Sequence, residues 1–163
     1  MKKALLLFII PIIILSSCKE TNAKKLSDAD PYEIIDEVYE ILAKDTATSA
    51  YIPSLITKEI TEGNASYYIG SDKVSFRAGA ASEGAEQPTL YSFCVVILED
   101  DADFDGQRKM IESGINKSKW VCAEADEAYV VRYENVIAVI MGTKQVCDEL
   151  EGAFLTVMRG YKN

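Results

Sequence analysis

Three features of the sequence predict an α+β fold, with a mostly antiparallel sheet of about four to five strands packed with about three helices. Ala128–Tyr133 and Val136–Met141 are two apolar, β-branched runs separated only by Glu134 and Asn135. That spacing reads as a β-hairpin with a two-residue turn, in which an asparagine tolerates positive φ. Leu90–Leu98 is almost continuously apolar, as expected of a central strand covered on both faces. The remaining apolar periodicity is helical and follows capping residues. The resulting order is helix, strand, strand, helix, hairpin, helix, with neither an internal repeat nor strict βαβ alternation.

The first helix is announced by Asp30 at the N-cap, Pro31 at the first helical position and Glu33 three residues after the cap, an arrangement that satisfies the orphan N–H groups. Ile34, Val38, Ile41 and Leu42 stripe one face, with Ile35 and Tyr39 widening it, so this helix should pack one-sidedly on a sheet. From Thr46 to Gly63 the period weakens and Pro53 interrupts it; Leu55, Ile56 and Ile60 suit a short helix. Tyr67–Gly70 and Lys73–Arg77 read as extended chain, the second with Val74 and Phe76 alternating against Ser75 and Arg77. Ala78–Pro88 is small and acidic with no apolar period, which predicts a mobile surface loop. Beyond the central strand, the acidic turn Glu99–Asp105 leads into a helix over Phe104–Ser113, and Trp120–Cys122 reads as a further extended piece. Thr143 caps a last helix whose Val146, Leu150, Phe154 and Val157 share a face.

The 163 residues hold 17 basic and 26 acidic side chains and no histidine. At the N-terminus, Lys2 and Lys3 precede an apolar run, Ala4–Leu15, that Pro11 breaks. This run is shorter than the roughly 20 residues a membrane-spanning helix needs, and has the form of a secretory signal. Leu15-Ser16-Ser17-Cys18 resembles the lipobox of bacterial lipoproteins, in which a branched apolar residue and two small residues precede a cysteine. The resemblance implies that residues 1–17 are a cleaved signal peptide and that the Cys18 thiol carries a thioether-linked diacylglycerol. The lipid bilayer is then the first partner, and the location is the extracytoplasmic face of a cell membrane. Residues 18–30 read as a flexible tether and 31–163 as a single globular domain. Without the two signal lysines, 15 basic residues face 26 acidic ones, a charge of −11. Such a surface repels phosphate backbones, so no nucleic-acid partner is expected.

Chemistry is thinly signalled. Without histidine, Cys–His and Ser–His pairs are excluded. Cys94, Cys122 and Cys147 lie in apolar or helical stretches and read either as buried thiols or as one disulfide with a thiol left over. Asp101, Asp103, Asp105-Gly106 and Glu112 match the spacing of an EF-hand calcium loop. However, Arg108 and Lys109 would sit beside the ion, and a strand precedes the loop where a helix belongs. The alternative role for the aspartates is to cap the helix and oppose its dipole, and on that ground no cofactor is expected. Tyr67, Tyr68, Tyr129 and Tyr133 suit either a ligand groove or cross-strand packing. Trp120 suits a binding rim or a sheet edge, and Glu99–Asp100 and Asp126–Glu127 are carboxylate pairs of the type glycosidases use.

From Tyr67 onward, the apolar extended run, the acidic helix start and the Ala128-Tyr-Val-Val131 and Asn135-Val-Ile137 hairpin followed by a helix resemble an uncharacterised family of small bacterial lipoproteins. That family carries no assigned activity. The expected function is a membrane-tethered, non-enzymatic binding or accessory domain that presents the 78–88 loop to an envelope protein or extracellular ligand. The alternatives are a carboxylate-dependent hydrolase of envelope glycans and a calcium-dependent adhesion module.

Overall fold

The computed structural model describes residues 24–44, 46–86, 89–120 and 123–162. The expected signal segment, Cys18 and Cys122 lie outside them. Helices α1 (Pro31–Leu42), α2 (Ala65–Ile69), α3 (Phe104–Gly114) and α4 (Lys144–Met158) accompany strands β1 (Lys24–Lys25), β2 (Leu55–Glu59), β3 (Phe76–Gly84), β4 (Ser92–Leu98), β5 (Glu127–Tyr133), β6 (Val136–Gly142) and β7 (Tyr161–Lys162). Strands β2 to β6 form one antiparallel sheet in the order β2-β3-β4-β6-β5, while β1 and β7 make a separate parallel pair. The fold is α+β, as predicted.

Both faces of the sheet are covered, which explains why its middle strands carry no polar alternation. On one face Phe93, Val95 and Ile97 of β4 and Val136, Ala138 and Ile140 of β6 pack with α1 and α4. On the other, Cys94, Val96, Leu98, Ile137, Val139 and Met141 meet α2, α3 and Trp120. The predicted caps form. Asp30 accepts from the N–H groups of Tyr32 (2.8 Å) and Glu33 (3.1 Å), and the Thr143 hydroxyl accepts from the N–H of Val146 (3.3 Å). Val146, Leu150, Phe154 and Val157 are all buried. Ile41 departs from the expected stripe: it is 48% exposed. Buried Tyr91 donates through its hydroxyl to that of Tyr39 (2.9 Å) and stacks on Tyr51.

Five expectations need correction. Residues 78–84 are not a mobile loop but most of β3, between β2 and β4, with Ala80, Ala81, Ser82 and Glu83 buried. The small side chains mark close approach, since a Cβ on Gly79 would come within 3.0 Å of Ile60 and 3.1 Å of Val96. The stretch 46–63 holds two 310 turns and the edge strand β2 instead of a short helix. Tyr67 and Tyr68 lie on the one-turn helix α2, which Gly70 ends at φ 79°. A Cβ at Gly114 would fall 2.1 Å from the Gly70 carbonyl oxygen, so two glycines let α2 and α3 touch backbone to backbone. In the β5–β6 turn it is Glu134, not Asn135, that takes positive φ, at 50°. Finally, much of the expected tether is docked: Lys24 and Lys25 pair with Tyr161 and Lys162, and Leu26 and Ala29 are buried. The polar appearance of 18–30 hid two anchoring residues too widely spaced to form a period.

Among the described residues, no helix is long and apolar enough to cross a membrane. Cys94 and Cys147 are buried free thiols packed on opposite faces of the sheet, so they cannot bridge each other.

Candidate functional site

The least expected chemistry lies where β3 ends and β4 begins. Glu83 of β3 stands opposite Ser92 of β4, and Lys119, from the segment after α3, reaches both. Its ammonium lies 2.5 Å from Glu83 Oε1 and donates to Ser92 Oγ at 3.0 Å. The side chains of Lys119 and Glu83 are only 2% and 12% exposed. Three aromatic rings box the ammonium, with centroids at 4.7 Å (Tyr67), 5.4 Å (Tyr68) and 5.1 Å (Trp120). The Tyr67 and Tyr68 rings meet edge to face at 5.0 Å.

Each group constrains its neighbours. Burial pushes the Cys94 thiol up to about 11, against the opposing influence of Lys119 and of Ser92, whose hydroxyl is 3.4 Å from Cys94 Sγ. Cys94 is therefore a thiol at neutral pH and donates to the Tyr68 carbonyl at 3.6 Å. Burial, and then the Glu83 charge, push the Tyr67 phenol up to about 12 and raise that of Tyr68. Two charges taken out of water cost several kcal/mol each before their attraction and hydrogen bonds offset it. Cation–π contacts return about 0.5–2 kcal/mol apiece. Replacing such a pair by apolar residues of similar volume is often neutral or stabilising, whereas removing one partner alone is costly.

Beside it opens a pocket of about 300 Å³ lined by Ile56, Lys58, Tyr67, Tyr68, Glu83 and Gly84 with their neighbours. Ile56 and Tyr67 are exposed at its rim. Tyrosine and isoleucine side chains line it together with Lys58 and the fixed Glu83 carboxylate, a mixed polar and apolar surface that suits binding of a small ligand. Ser92 and Lys119 have the residue types of a nucleophile–base dyad, but here the lysine is the donor.

A second cleft, of about 520 Å³, is lined by Lys25, Leu26, Ser27, Asp100, Phe104, Glu134 and Asn135. The Asn135 amide donates to the Leu98 carbonyl and to Asp100 Oδ1, both at 3.4 Å, leaving its own buried oxygen without a partner. Asp100 thus shares a cleft with Glu134, not with Glu99 as the sequence pairing suggested.

The other sequence candidates are dispersed. Asp103 caps α3, accepting from the Gly106 N–H at 3.1 Å. Asp105 faces Arg132 at 3.2 Å, and Glu112 pairs with Arg108 at 2.8 Å two turns along the helix. Asp101 is exposed. Among the described residues, no three His, Cys, Asp or Glu side chains are grouped to hold a metal. Tyr67 and Tyr68 join the pocket, whereas Tyr129 and Tyr133 pack on the opposite face, with the Tyr129 hydroxyl donating to Asp148 at 2.9 Å. Trp120 is buried. Sequence reasoning missed Glu83, which lies in the expected 78–88 loop, and Lys119, to which it gave no role. Only the adjacent Trp120 hinted that the lysine had aromatic company.

Comparison with known proteins supplies no identity: no protein family, curated protein or solved structure matches the chain.

Proposed function

We propose that this protein is a lipid-anchored, extracytoplasmic, non-enzymatic binding domain, held to a membrane through acylated Cys18 and engaging an envelope protein or extracellular ligand through the Glu83–Lys119 pocket. The segment Met1–Cys18 carries the anchoring half of this reading: a basic start, an apolar run and Leu15-Ser16-Ser17-Cys18. Two or more acyl chains give the lasting membrane residence that one chain does not. The pocket supports the binding half, because Lys119 behind it holds the Glu83 carboxylate in place and Ile56 and Tyr67 are exposed at its rim. Residues 78–84 belong to β3, with 79–83 buried, and so do not present a binding loop.

Metabolic labelling with a fatty-acid analogue tests the anchor. The parent chain should take up label, and Cys18→Ala should take up none, because both the thioether and the processing step depend on that thiol. Undiminished label on the variant would remove the lipoprotein assignment.

A further inference from the structure

The docked N-terminal segment fixes where an anchor could sit. Cys18 and Lys24 are six residues apart, which spans about 20 Å at full stretch. Lys24 is held in place: it pairs with Tyr161 across β1–β7 and bridges to Glu37 and to Glu33 at 3.6 Å. The next turn is pinned by buried Leu26, whose carbonyl accepts from Arg77 at 3.4 Å. Residues 25–27 lie across one end of the sheet, sharing a cleft with Asp100, just past β4, and with the β5–β6 turn at Glu134 and Asn135. Glu83 and Ser92 lie at the other end. From Leu98 back to Ser92 the strand runs six residues, or about 20 Å.

A globular chain of this length has a radius of gyration of about 14 Å and hence a diameter of about 37 Å. The tether is shorter than the body it holds, so the attachment point cannot swing to the far side. Lys19, Lys24 and Lys25 also gather basic charge beside the anchor in an otherwise acidic chain. Lysines near headgroups are attracted to an anionic leaflet, although Glu33 and Glu37, which bridge Lys24, and Glu20, Asp100 and Glu134 alongside offset that attraction. Tether length, more than charge, sets the geometry.

From this we propose that the β1 segment and the β5–β6 turn form the surface resting on phospholipid headgroups, so that the Glu83–Lys119 pocket is carried at the membrane-distal end, open to partners. The orientation rests on the acylation reading, and the test separates the two. A photo-crosslinking benzoylphenylalanine is placed at exposed Ser27 or at exposed Glu86 in the full-length lipidated protein. Each is reconstituted in phosphatidylethanolamine–phosphatidylglycerol vesicles, irradiated and analysed by intact mass. Lipid adducts should form at Ser27 with at least about tenfold the yield at Glu86, given the steep fall of contact with distance over about 20 Å. Inserting about sixty Gly/Ser residues before Lys24 should bring the yields together, because the r.m.s. reach of such a coil, about 45 Å, exceeds the diameter of the domain. Equal or reversed yields in acylated protein without the insert would overturn the orientation alone. An intact mass lacking the acyl modification would overturn the anchor and the orientation together.

Discussion

Lys119 and Glu83 illustrate how strongly a residue's meaning depends on what surrounds it. Removing one partner of a buried ion pair strands the other, at a cost of about 3–5 kcal/mol. Lys119→Met should therefore lower the melting midpoint of the domain by about 10 °C or more. Adding Glu83→Leu to it should recover most of the loss; strictly additive losses in the double-mutant cycle would show that the two charges are not coupled. Glu149 is a second residue whose surroundings decide its behaviour. Burial works against its carboxylate, but the N–H groups of Ala47 (3.0 Å) and Thr48 (2.9 Å), the Thr48 hydroxyl (2.9 Å) and the Gln145 amide (3.0 Å) donate to it. The balance holds the carboxyl below its usual 4.5. A value depressed in the folded state adds stability above the unfolded-state value and loses it as pH falls through the folded-state value. Parent protein should thus exceed Glu149→Gln by about 1–2 kcal/mol near neutrality. Denaturant titrations at falling pH should show that margin shrinking below 4.5; a constant margin would mean that the carboxylate charge contributes nothing.

At the scale of elements, caps and close approaches decide more than hydrophobic period does. Helix α3 starts at Asp103 because that carboxylate accepts the Gly106 N–H, and the same geometry carries Glu112 away toward Arg108. Asp103→Ala should cost about 1 kcal/mol, the usual value of an N-cap. The loss should be the same in chelator and in millimolar calcium. A calcium ion bound a hundredfold above its dissociation constant would add about 2.7 kcal/mol. A calcium-dependent rise in melting midpoint that the substitution abolishes would therefore assign Asp101, Asp103, Asp105 and Glu112 to a cage after all. Strand β3 shows the opposite case, an element without a strong period of its own. Its alanines and glycines lie beneath packed neighbours, and its pairing with β2 and β4 supplies what its side chains lack.

For the molecule as a whole, the N-terminal segment belongs to the fold. Leu26 and Ala29 enter the same core as α1 and α4, and the β1–β7 pair joins Lys24–Lys25 to Tyr161–Lys162. A soluble chain beginning at Lys24 should melt like one beginning at Lys19. A chain beginning at Asp30 should lose about 2–4 kcal/mol, chiefly the burial of Leu26. Matching midpoints for all three in a thermal melt would show that the segment is adventitiously packed.

By itself, the sequence determined the α+β class, the capped helices α1, α3 and α4, the central strand β4 and the β5–β6 hairpin. These features rest on neighbours close along the chain: a cap three residues from its N–H, a stripe repeating every turn, two apolar runs meeting at a two-residue turn. Only the tertiary structure decided β2 and β3, the docking of Lys24–Asp28 and the pairing of Glu83 with Lys119. In each of these the stabilising partner lies far along the chain, so the local residues look merely small, polar or charged. A glutamate among alanines reads as loop until Ser92 stands opposite it and a lysine from beyond α3 closes over both. Burial and partner choice at that distance follow from packing, and packing leaves no period in the sequence.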